Sequence, residues 1–124
     1  MPVLHAPDRP THELPGAKFT SLATPKLGGS ETSVWTVEIA PGTPATPHQV
    51  TREEVFVVLS GRAAVRLAGV EASAAAGDAI VVPPNTPFEI CAAGSEPLRA
   101  LCCLPVGGQA RLADGPAFTP PWAQ

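Results

Sequence analysis

Proline and glycine recur so often along this chain that they restrict its fold more than any other feature. Sixteen prolines and eleven glycines are spread over 124 residues, and proline disrupts both the hydrogen bonding and the packing of a helix interior. Few windows between them could hold a helix of three turns. The intervals contain short runs rich in valine, isoleucine and phenylalanine, a pattern typical of strands joined by turns. The sequence therefore predicts an all-β sandwich or barrel.

The composition is that of one globular domain. Hydrophobic residues make up 44% of the chain and charged residues 15%, which is typical of folded proteins and unlike disordered ones. A length of 124 residues suffices for a single buried core. The net charge is −3, and the lysines and arginines are scattered. They form no basic stripe, so nucleic acid is not expected as a partner.

The sequence shows no membrane or secretion segment. The apolar runs are too short to span a bilayer, and MPVLHAPDRP at the start lacks a charged beginning followed by an apolar core. We therefore expect a cytoplasmic protein that does not bind membranes. In a reducing cytoplasm Cys91, Cys102 and Cys103 are interpreted as small buried apolar side chains, since no C-x-x-C spacing links them.

Alternation of apolar and polar residues predicts strands. In residues 31–42, Trp35, Val37 and Ile39 share one face, and residues 61–69 alternate in the same way. Further strands are expected around 17–23 and within 53–61, 77–87, 87–94 and 97–108.

Residues 70–77 are more ambiguous because they contain three successive alanines, which favour helix by propensity. Gly69 and Gly77 leave too little room for a stable helix. A strand is therefore predicted here as well.

The chain divides into three segments without an internal repeat. Residues 1–30 are interpreted as an N-terminal arm with one edge strand, and residues 31–106 as the barrel itself. Residues 107–124 are expected to form an irregular tail that packs on the barrel through Phe118 and Trp122.

Two spaced motifs lie in the middle of the chain. The first runs from Gly42 through five residues to His48, continues to Val50 and Glu54, and after six more residues ends at Gly61. Proline-rich residues before His48 stiffen the loop that leads into it.

The second motif runs from Gly77 through five residues to Pro83, then to Asn85, and after two more residues to Phe88. Glycine suits tight turns that need a positive φ. Asparagine is among the residues that best tolerate that conformation, so a turn at Asn85 is expected to persist.

In the spacing of both motifs the chain resembles a small single-domain protein of the cupin superfamily, of the type-2 kind. The motifs cover 42–92, and the strands around them extend the resemblance to about 31–106. The resemblance implies a jelly-roll β-barrel of two antiparallel sheets. It also implies a homodimer, since small cupins commonly pair by exchanging or augmenting edge strands. The arm and the tail would then serve as edge covers.

The resemblance also identifies a metal site that this chain has largely lost. Cupins that bind iron, manganese, nickel or zinc use three histidines and a glutamate, and the corresponding positions here are His48, Val50, Glu54 and Phe88. Valine and phenylalanine offer no lone pair, whereas catalytic zinc sites and facial triads need three protein ligands. We expect no tightly bound metal. A divalent transition metal held by His48 and Glu54 is the alternative.

Four other side chains could complete such a site. Cys102 or Cys103 could reach the interior from another strand, and His5 or His12 could arrive on the arm or from a partner subunit. None of them belongs to either motif, and the two histidines are otherwise interpreted as surface residues.

Alternation also predicts which residues line the barrel. If the segment after His48 is extended, every second residue from 48 to 58 shares one face. The predicted ligand pocket then consists of His48, Val50, Arg52, Glu54, Phe56, Val58 and Phe88. An apolar cavity with a few converging polar groups is typical of a small-molecule site. For Arg52 the rim beside Glu53 is favoured over the interior, because a buried arginine needs a partner.

His48 and Glu54 are the candidate catalytic residues. As a pair, they would fix one imidazole tautomer and favour its charged form, which would suit proton transfer. Metal-free sugar epimerases of the superfamily use such a histidine–carboxylate pair. The alternative is a satisfied buried pair inherited from a metal-binding ancestor.

Three functions therefore stay open. The first is metal-free binding of a small organic molecule. The second is an enzyme, either a metal-free isomerase or cyclase with His48 as proton carrier, or a metal-dependent oxygenase with unusual ligands. The third is a structural or assembly role with a closed cavity.

Overall fold

The computed structural model describes residues 3–124, which form eleven β-strands and two short 3₁₀ turns. The strands are β1 His12–Leu14, β2 Ala17–Ala23, β3 Thr32–Ile39, β4 His48–Val50, β5 Glu54–Ser60, β6 Arg62–Leu67, β7 Val70–Ala75, β8 Ala79–Val82, β9 Phe88–Ala92, β10 Leu98–Pro105 and β11 Ala110–Leu112. The 3₁₀ turns are Pro25–Leu27 and Pro121–Ala123.

The strands form two antiparallel sheets that pack face to face. The first has six strands in the order β1-β2-β3-β10-β5-β8, and the second has five in the order β11-β4-β9-β6-β7. This arrangement confirms the predicted all-β jelly roll of two antiparallel sheets. The alanine-rich segment is β7 and pairs along its whole length with β6, as predicted from its bounding glycines.

The core lies between the sheets and is built by alternate residues of the longer strands. Trp35 and Val37 of β3 are buried, as the sequence pattern predicts. Their neighbours on β10 are Cys102 and Ala100, which have no exposed surface. This alternation buries one face of each sheet, which provides the main hydrophobic stabilisation.

Two motif positions adopt the backbone conformation that the sequence predicts. Gly61 has a φ of 74° between β5 and β6, and Asn85 has a φ of 55° in the loop after β8. The amide of Asn85 donates to the carbonyl of Val50 at 2.7 Å. This bond ties the second motif to the strand that carries His48.

The chain ends contain more regular structure than the pattern suggests. The arm carries the expected strand, β2, and in addition the short β1, which forms the edge of the first sheet. The tail carries β11, which pairs with β4. Both additions are three-residue strands, and such a length is too short for a periodic signal.

The tail closes one end of the barrel. The indole of Trp122 stacks on the ring of Phe19 with 3.6 Å between centroids. The hydroxyls of Ser21 and Ser33 donate to the carbonyls of Trp122 and Ala123 at 2.7 and 2.8 Å. The contact with Trp122 is the one that the sequence suggests. The other expected anchor, Phe118, is 40% exposed.

Candidate functional site

His48 begins β4 in the second sheet. It lies opposite Phe88 of β9 on one side and Leu112 of β11 on the other. Its Nδ1 lies 2.8 Å from the carbonyl oxygen of Thr46. A carbonyl only accepts, so Nδ1 carries the proton and donates it, and Nε2 is left as an acceptor. The proline-rich loop thus sets the tautomer of the imidazole.

Burial makes the imidazole of His48 harder to protonate. Loss of hydration lowers its pKa, and the bond to the Thr46 carbonyl opposes that change only in part. His48 is therefore a neutral base at neutral pH.

Glu54 is the first residue of β5 and points between the sheets. It is 5% exposed, and burial raises the pKa of its carboxyl to about 8. At neutral pH the group is therefore mainly protonated and can donate a hydrogen bond.

The predicted pairing of His48 with Glu54 is not observed. Among the described residues no hydrogen bond or ion pair joins these two side chains. Thr46, rather than Glu54, orients the imidazole. The structure therefore reverses the expected charge states, since burial favours the neutral form of both groups.

Aromatic rings occupy the space beside His48. The ring of Phe88 lies 4.1 Å from the imidazole and 6.0 Å from the ring of Phe56, measured between centroids. Val50 and Phe88 are each only 2% exposed. Phe88 thus connects His48 on one sheet with β5 on the other through apolar contact.

Two predicted pocket residues lie elsewhere. Arg52 is exposed, because the chain bends at 51–53 where it passes from β4 in one sheet to β5 in the other. The bend breaks the alternation on which its inward placement depended. Val58 is 1% exposed but belongs to a second core cluster with Val65 and Leu98. The residues that remain together are those around Phe88.

Cys102 is a neighbour of Glu54 that the motifs do not reveal. It lies on β10 opposite Phe56 and is fully buried. Burial raises the pKa of its thiol, and the charge of Glu54 raises it further. Its inward direction follows from strand alternation. Its closeness to Glu54 depends on the pairing of β10 with β5, which sequence spacing alone cannot provide.

The other candidate donors do not gather around His48 and Glu54. Cys103 is partly exposed on the opposite face of β10. His5 is exposed, and His12 lies near Thr11 and Trp122. Within residues 3–124 no three histidine, cysteine, aspartate or glutamate side chains are grouped so that they could hold a metal ion.

Two surface cavities lie away from His48. An open groove of about 370 Å³ is lined by Val65, Leu67, Ala72, Ser73, Ala74, Asp78, Ala79, Ile80 and Val81. A cleft of about 170 Å³ is lined by Pro10, Lys18, Thr20, Thr36, Val37, Glu38 and Arg99. Neither includes a residue of the predicted ligand pocket.

The fold and the position of His48 and Glu54 are those of a cupin barrel. A family model described as a cupin domain matches residues 35–104, and the chain therefore belongs to the cupin family. This confirms the resemblance read from the two motifs.

Individual relatives support the fold more than any function. An uncharacterized protein of Methanocaldococcus jannaschii, MJ1618, is 40% identical over 53 residues, which are 43% of this chain and 42% of that protein. The chain thus matches less than half of this relative's length.

Two solved structures are similar over most of their length. The polyketide cyclase RemF from Streptomyces resistomycificus has a TM-score of 0.72 at 20% identity, covering 89% of this chain and 80% of that one. A cupin-like protein from Thermotoga maritima has a TM-score of 0.72 at 24% identity, covering 80% and 77%. At such identities the likeness establishes the shared fold.

No helix within residues 3–124 is long and apolar enough to cross a membrane.

Proposed function

We propose that this protein binds a small, uncharged organic molecule at the His48 end of the barrel without a metal ion. The observation that carries the proposal is the fixed tautomer of His48. The Thr46 carbonyl holds the Nδ1 proton, so Nε2 presents a lone pair to any hydroxyl or N–H that approaches. Burial keeps the imidazole neutral, and it therefore acts as an acceptor.

The charge state of the interior favours an uncharged ligand. Of the buried residues within 3–124, Glu54 is the one with a carboxylic or basic side chain, and it is mainly protonated at neutral pH. Arg52 is exposed. An anionic ligand would therefore enter an apolar site with no cation to offset its loss of hydration.

The rings beside His48 favour a planar ligand. Phe88 and Phe56 lie next to the imidazole but are only 2% and 6% exposed, so a ligand reaches them only if their packing opens. A flat ring could stack there while a hydroxyl donates to Nε2. Monocyclic phenols and cyclic ketones have this combination of a flat body and one polar group.

The donor set supports the metal-free part of the proposal. The residues at the family's four ligand positions are one imidazole, one protonated carboxyl and two hydrocarbons. A metal would have to displace the proton of Glu54 and would still have only two protein ligands, fewer than a catalytic centre needs.

Ligand binding is tested by thermal unfolding with substituted phenols and cyclic ketones, and with benzoates as charged controls. We expect the neutral compounds to raise the midpoint and the benzoates to have no effect. His48→Leu fills similar space without an acceptor and should weaken binding about tenfold, the loss of roughly one hydrogen bond. The matched control His12→Leu should bind as the parent does.

Other outcomes would contradict the binding proposal. Equal effects of the parent and His48→Leu, or stabilisation by benzoates, would show that His48 is no acceptor for a neutral ligand. No effect from any compound would favour the closed, structural role.

The metal question has its own measurement. Elemental analysis of the purified parent should show iron, manganese, nickel and zinc well below one equivalent. A stoichiometric metal that is lost in His48→Leu would contradict the metal-free proposal.

The protonation states also support a second candidate function, proton transfer in an isomerase or cyclase. A neutral imidazole and a protonated carboxyl are present at the same pH, which supplies a base and an acid. The similar fold of a protein named as a polyketide cyclase is compatible with this candidate at the level of fold alone.

Proton transfer is tested separately from binding. A base that removes a proton next to a carbonyl exchanges it with solvent, so cyclic ketones in D₂O should incorporate deuterium at that carbon, as followed by NMR. His48→Leu should abolish the exchange, and Glu54→Gln should slow it because the acid is lost. If the ketones bind but incorporate no deuterium, the binding proposal stands and the proton-transfer candidate is excluded.

A further inference from the structure

The two residues that flank His48 in the second sheet differ sharply in exposure. Phe88 on β9 is 2% exposed, whereas Leu112 on β11 is 47% exposed. The imidazole between them is half-buried. A molecule that approaches His48 therefore meets Leu112 without any change in packing, while Phe88 is already covered.

The hydrogen bonds of β11 place the side chains of His48 and Leu112 side by side. The amide and carbonyl of Ala110 bond to Phe118 at 2.8 and 2.9 Å, so they turn away from Val50, its partner on β4. Val50 and Ala110 thus form a pair without mutual hydrogen bonds, and alternation makes His48 and Leu112 another. In such pairs the Cα atoms lie about 4.5 Å apart and both side chains project to the same face.

Phe118 continues the exposed apolar surface beyond β11. It lies opposite Ala110 and is 40% exposed. In the strand register it is the diagonal neighbour of Leu112, at roughly 7–8 Å between Cα atoms, which is within reach of an aromatic side chain. We call Leu112 and Phe118 the apolar lip of the His48 site. The small side chain of Ala110 shares this face and forms the floor beside them.

The apolar lip takes no part in the core of the barrel. The tail contributes Trp122 and Ala123 to a core cluster, and neither Leu112 nor Phe118 belongs to one. Two large apolar side chains that lie together in solvent beside a half-buried histidine indicate a contact that the chain does not make by itself.

The charges around the apolar lip favour an uncharged ligand. Arg111 lies between Ala110 and Leu112 in sequence, so its side chain points to the opposite face of β11. Asp114 follows Leu112 by two residues and is exposed. A carboxylate bound at the lip would thus have an acidic neighbour and no cation from β11 on the same face.

The distance across the lip sets the length of the ligand. The strand β11 separates His48 on β4 from Phe118, so these residues lie two strand spacings apart, roughly 10 Å. A single six-membered ring with its hydroxyl at His48 covers Ala110 and Leu112 but stops short of Phe118. A short alkyl chain on the far side of the ring completes the distance.

We infer that Leu112 and Phe118 are specificity-determining residues, and that the ligand of His48 is an uncharged phenol with an alkyl substituent opposite the hydroxyl. The hydroxyl donates to the imidazole, the ring lies on Leu112, and the alkyl chain lies on Phe118. The inference rests on the ligand site proposed for His48 and adds the side from which the ligand binds. Phe88 then forms a closed wall that does not have to move.

Calorimetric titration with a series from phenol to 4-butylphenol tests the inference. The affinity of the parent should rise about twofold to fourfold per methylene, because each added group leaves water for the surface of Phe118. Phe118→Ala should abolish this rise and still bind phenol. Leu112→Ala should weaken the binding of phenol itself about fivefold.

Leu59→Ala is the matched control. It removes a leucine of similar exposure, 44% against 47% for Leu112, near the end of β5 that is distant from Glu54. This variant should bind every member of the series as the parent does. Circular dichroism of all three variants should match that of the parent.

Nuclear Overhauser effects locate the bound ligand directly. With 4-butylphenol and the parent protein, the terminal methyl should contact the ring of Phe118, and the aromatic protons should contact the methyls of Leu112. Contacts with Val65 and Ile80 instead would place the ligand in the open groove and would overturn the inference.

The outcomes separate this inference from the function proposed above. If phenols bind through His48 but Leu112→Ala and Phe118→Ala match the parent, only the role of the lip is refuted. If the chain-length dependence needs Phe118 but His48→Leu binds equally well, the lip holds the ligand and the role of His48 is refuted. Binding that weakens as the protein concentration rises would mean that a second copy covers the lip, which overturns the inference. Absence of binding by every alkylphenol overturns both.

Discussion

At the scale of single residues, burial reverses the protonation that His48 and Glu54 have in water. Water would leave the carboxyl ionised and the imidazole partly charged at neutral pH. In the barrel both lose hydration, and neither has an ionised partner among the described residues to compensate. The result is a neutral acid and a neutral base, which suits neutral ligands.

The raised pKa of Glu54 predicts that folding is less favourable at high pH. The unfolded carboxyl ionises near pH 4.5 and the folded one near pH 8, so between these values the folded state holds the extra proton. The contribution of Glu54 to the free energy of unfolding is complete below pH 4.5 and is lost as the pH rises to 8. By pH 7 this loss is on the order of 3 kcal/mol. In denaturant unfolding from pH 5 to 8, the free energy of unfolding of the parent should fall as the pH rises, and Glu54→Gln should lack this decrease.

The control for that experiment is Glu53→Gln, an exposed carboxyl at the adjacent position. It removes the same formal charge without changing the buried site. If both variants keep the slope of the parent, the carboxyl of Glu54 is ionised in the folded protein and the proposed neutral interior is refuted.

Restoring the missing donors should restore metal binding. Val50→His together with Phe88→His places imidazoles at the two family positions that are hydrocarbon here. Buried, unliganded histidines should lower the unfolding midpoint, and Zn²⁺ or Co²⁺ should raise it again because binding is linked to folding. Calorimetry should detect one metal per chain.

The same double substitution on a His48→Leu background serves as the control and should bind at least tenfold more weakly. Equal metal affinity in the two backgrounds would show that the family's ligand geometry is absent from this barrel.

At the scale of strands and turns, alanine substitutions at two motif glycines should cost different amounts of stability. Both have positive φ, 74° at Gly61 and 93° at Gly77. A Cβ at Gly77 would meet nothing within 4 Å, whereas one at Gly61 would overlap the carbonyl oxygen of Pro97. Gly77→Ala should therefore cost about 1–2 kcal/mol from backbone strain alone. Gly61→Ala should cost about 1–3 kcal/mol more than Gly77→Ala, because its Cβ would overlap the carbonyl oxygen of Pro97.

Denaturant unfolding of the two alanine variants makes this comparison directly. If their losses were equal, the close approach of the Pro97 segment to the β5–β6 turn would be disproved.

Sequence patterns predicted strands well where alternation persists and failed where the chain changes sheets. Trp35 and Val37 are buried as expected, because β3 stays in one sheet for eight residues. Alternation alone places Arg52 inward, whereas the cost of burying an unpaired charge favours the rim. Arg52 is exposed, because the chain bends at 51–53, and a bend of three residues leaves no periodic signal.

At the scale of the whole molecule, contacts between distant segments set the site and close the barrel. The family spacing predicted the two-sheet fold, since glycines and turns fix where the strands begin. It did not predict that Cys102 would lie near Glu54, or that Thr46 would orient His48. Those relations depend on strand pairing and on loop conformation, and the alternation of apolar and polar residues reveals neither.

The tail is the clearest long-range element of stability. Trp122 stacks on Phe19, and its backbone carbonyl accepts from Ser21, 101 residues away in sequence. Trp122→Ala should therefore lower the free energy of unfolding by about 2–3 kcal/mol, somewhat less than a fully buried tryptophan because the side chain is partly exposed. Phe118→Ala, at a residue that is 40% exposed, should cost less than 1 kcal/mol. Urea unfolding of both variants, followed by circular dichroism, makes the comparison, and equal losses would mean that the stacked pair does not hold the barrel end closed.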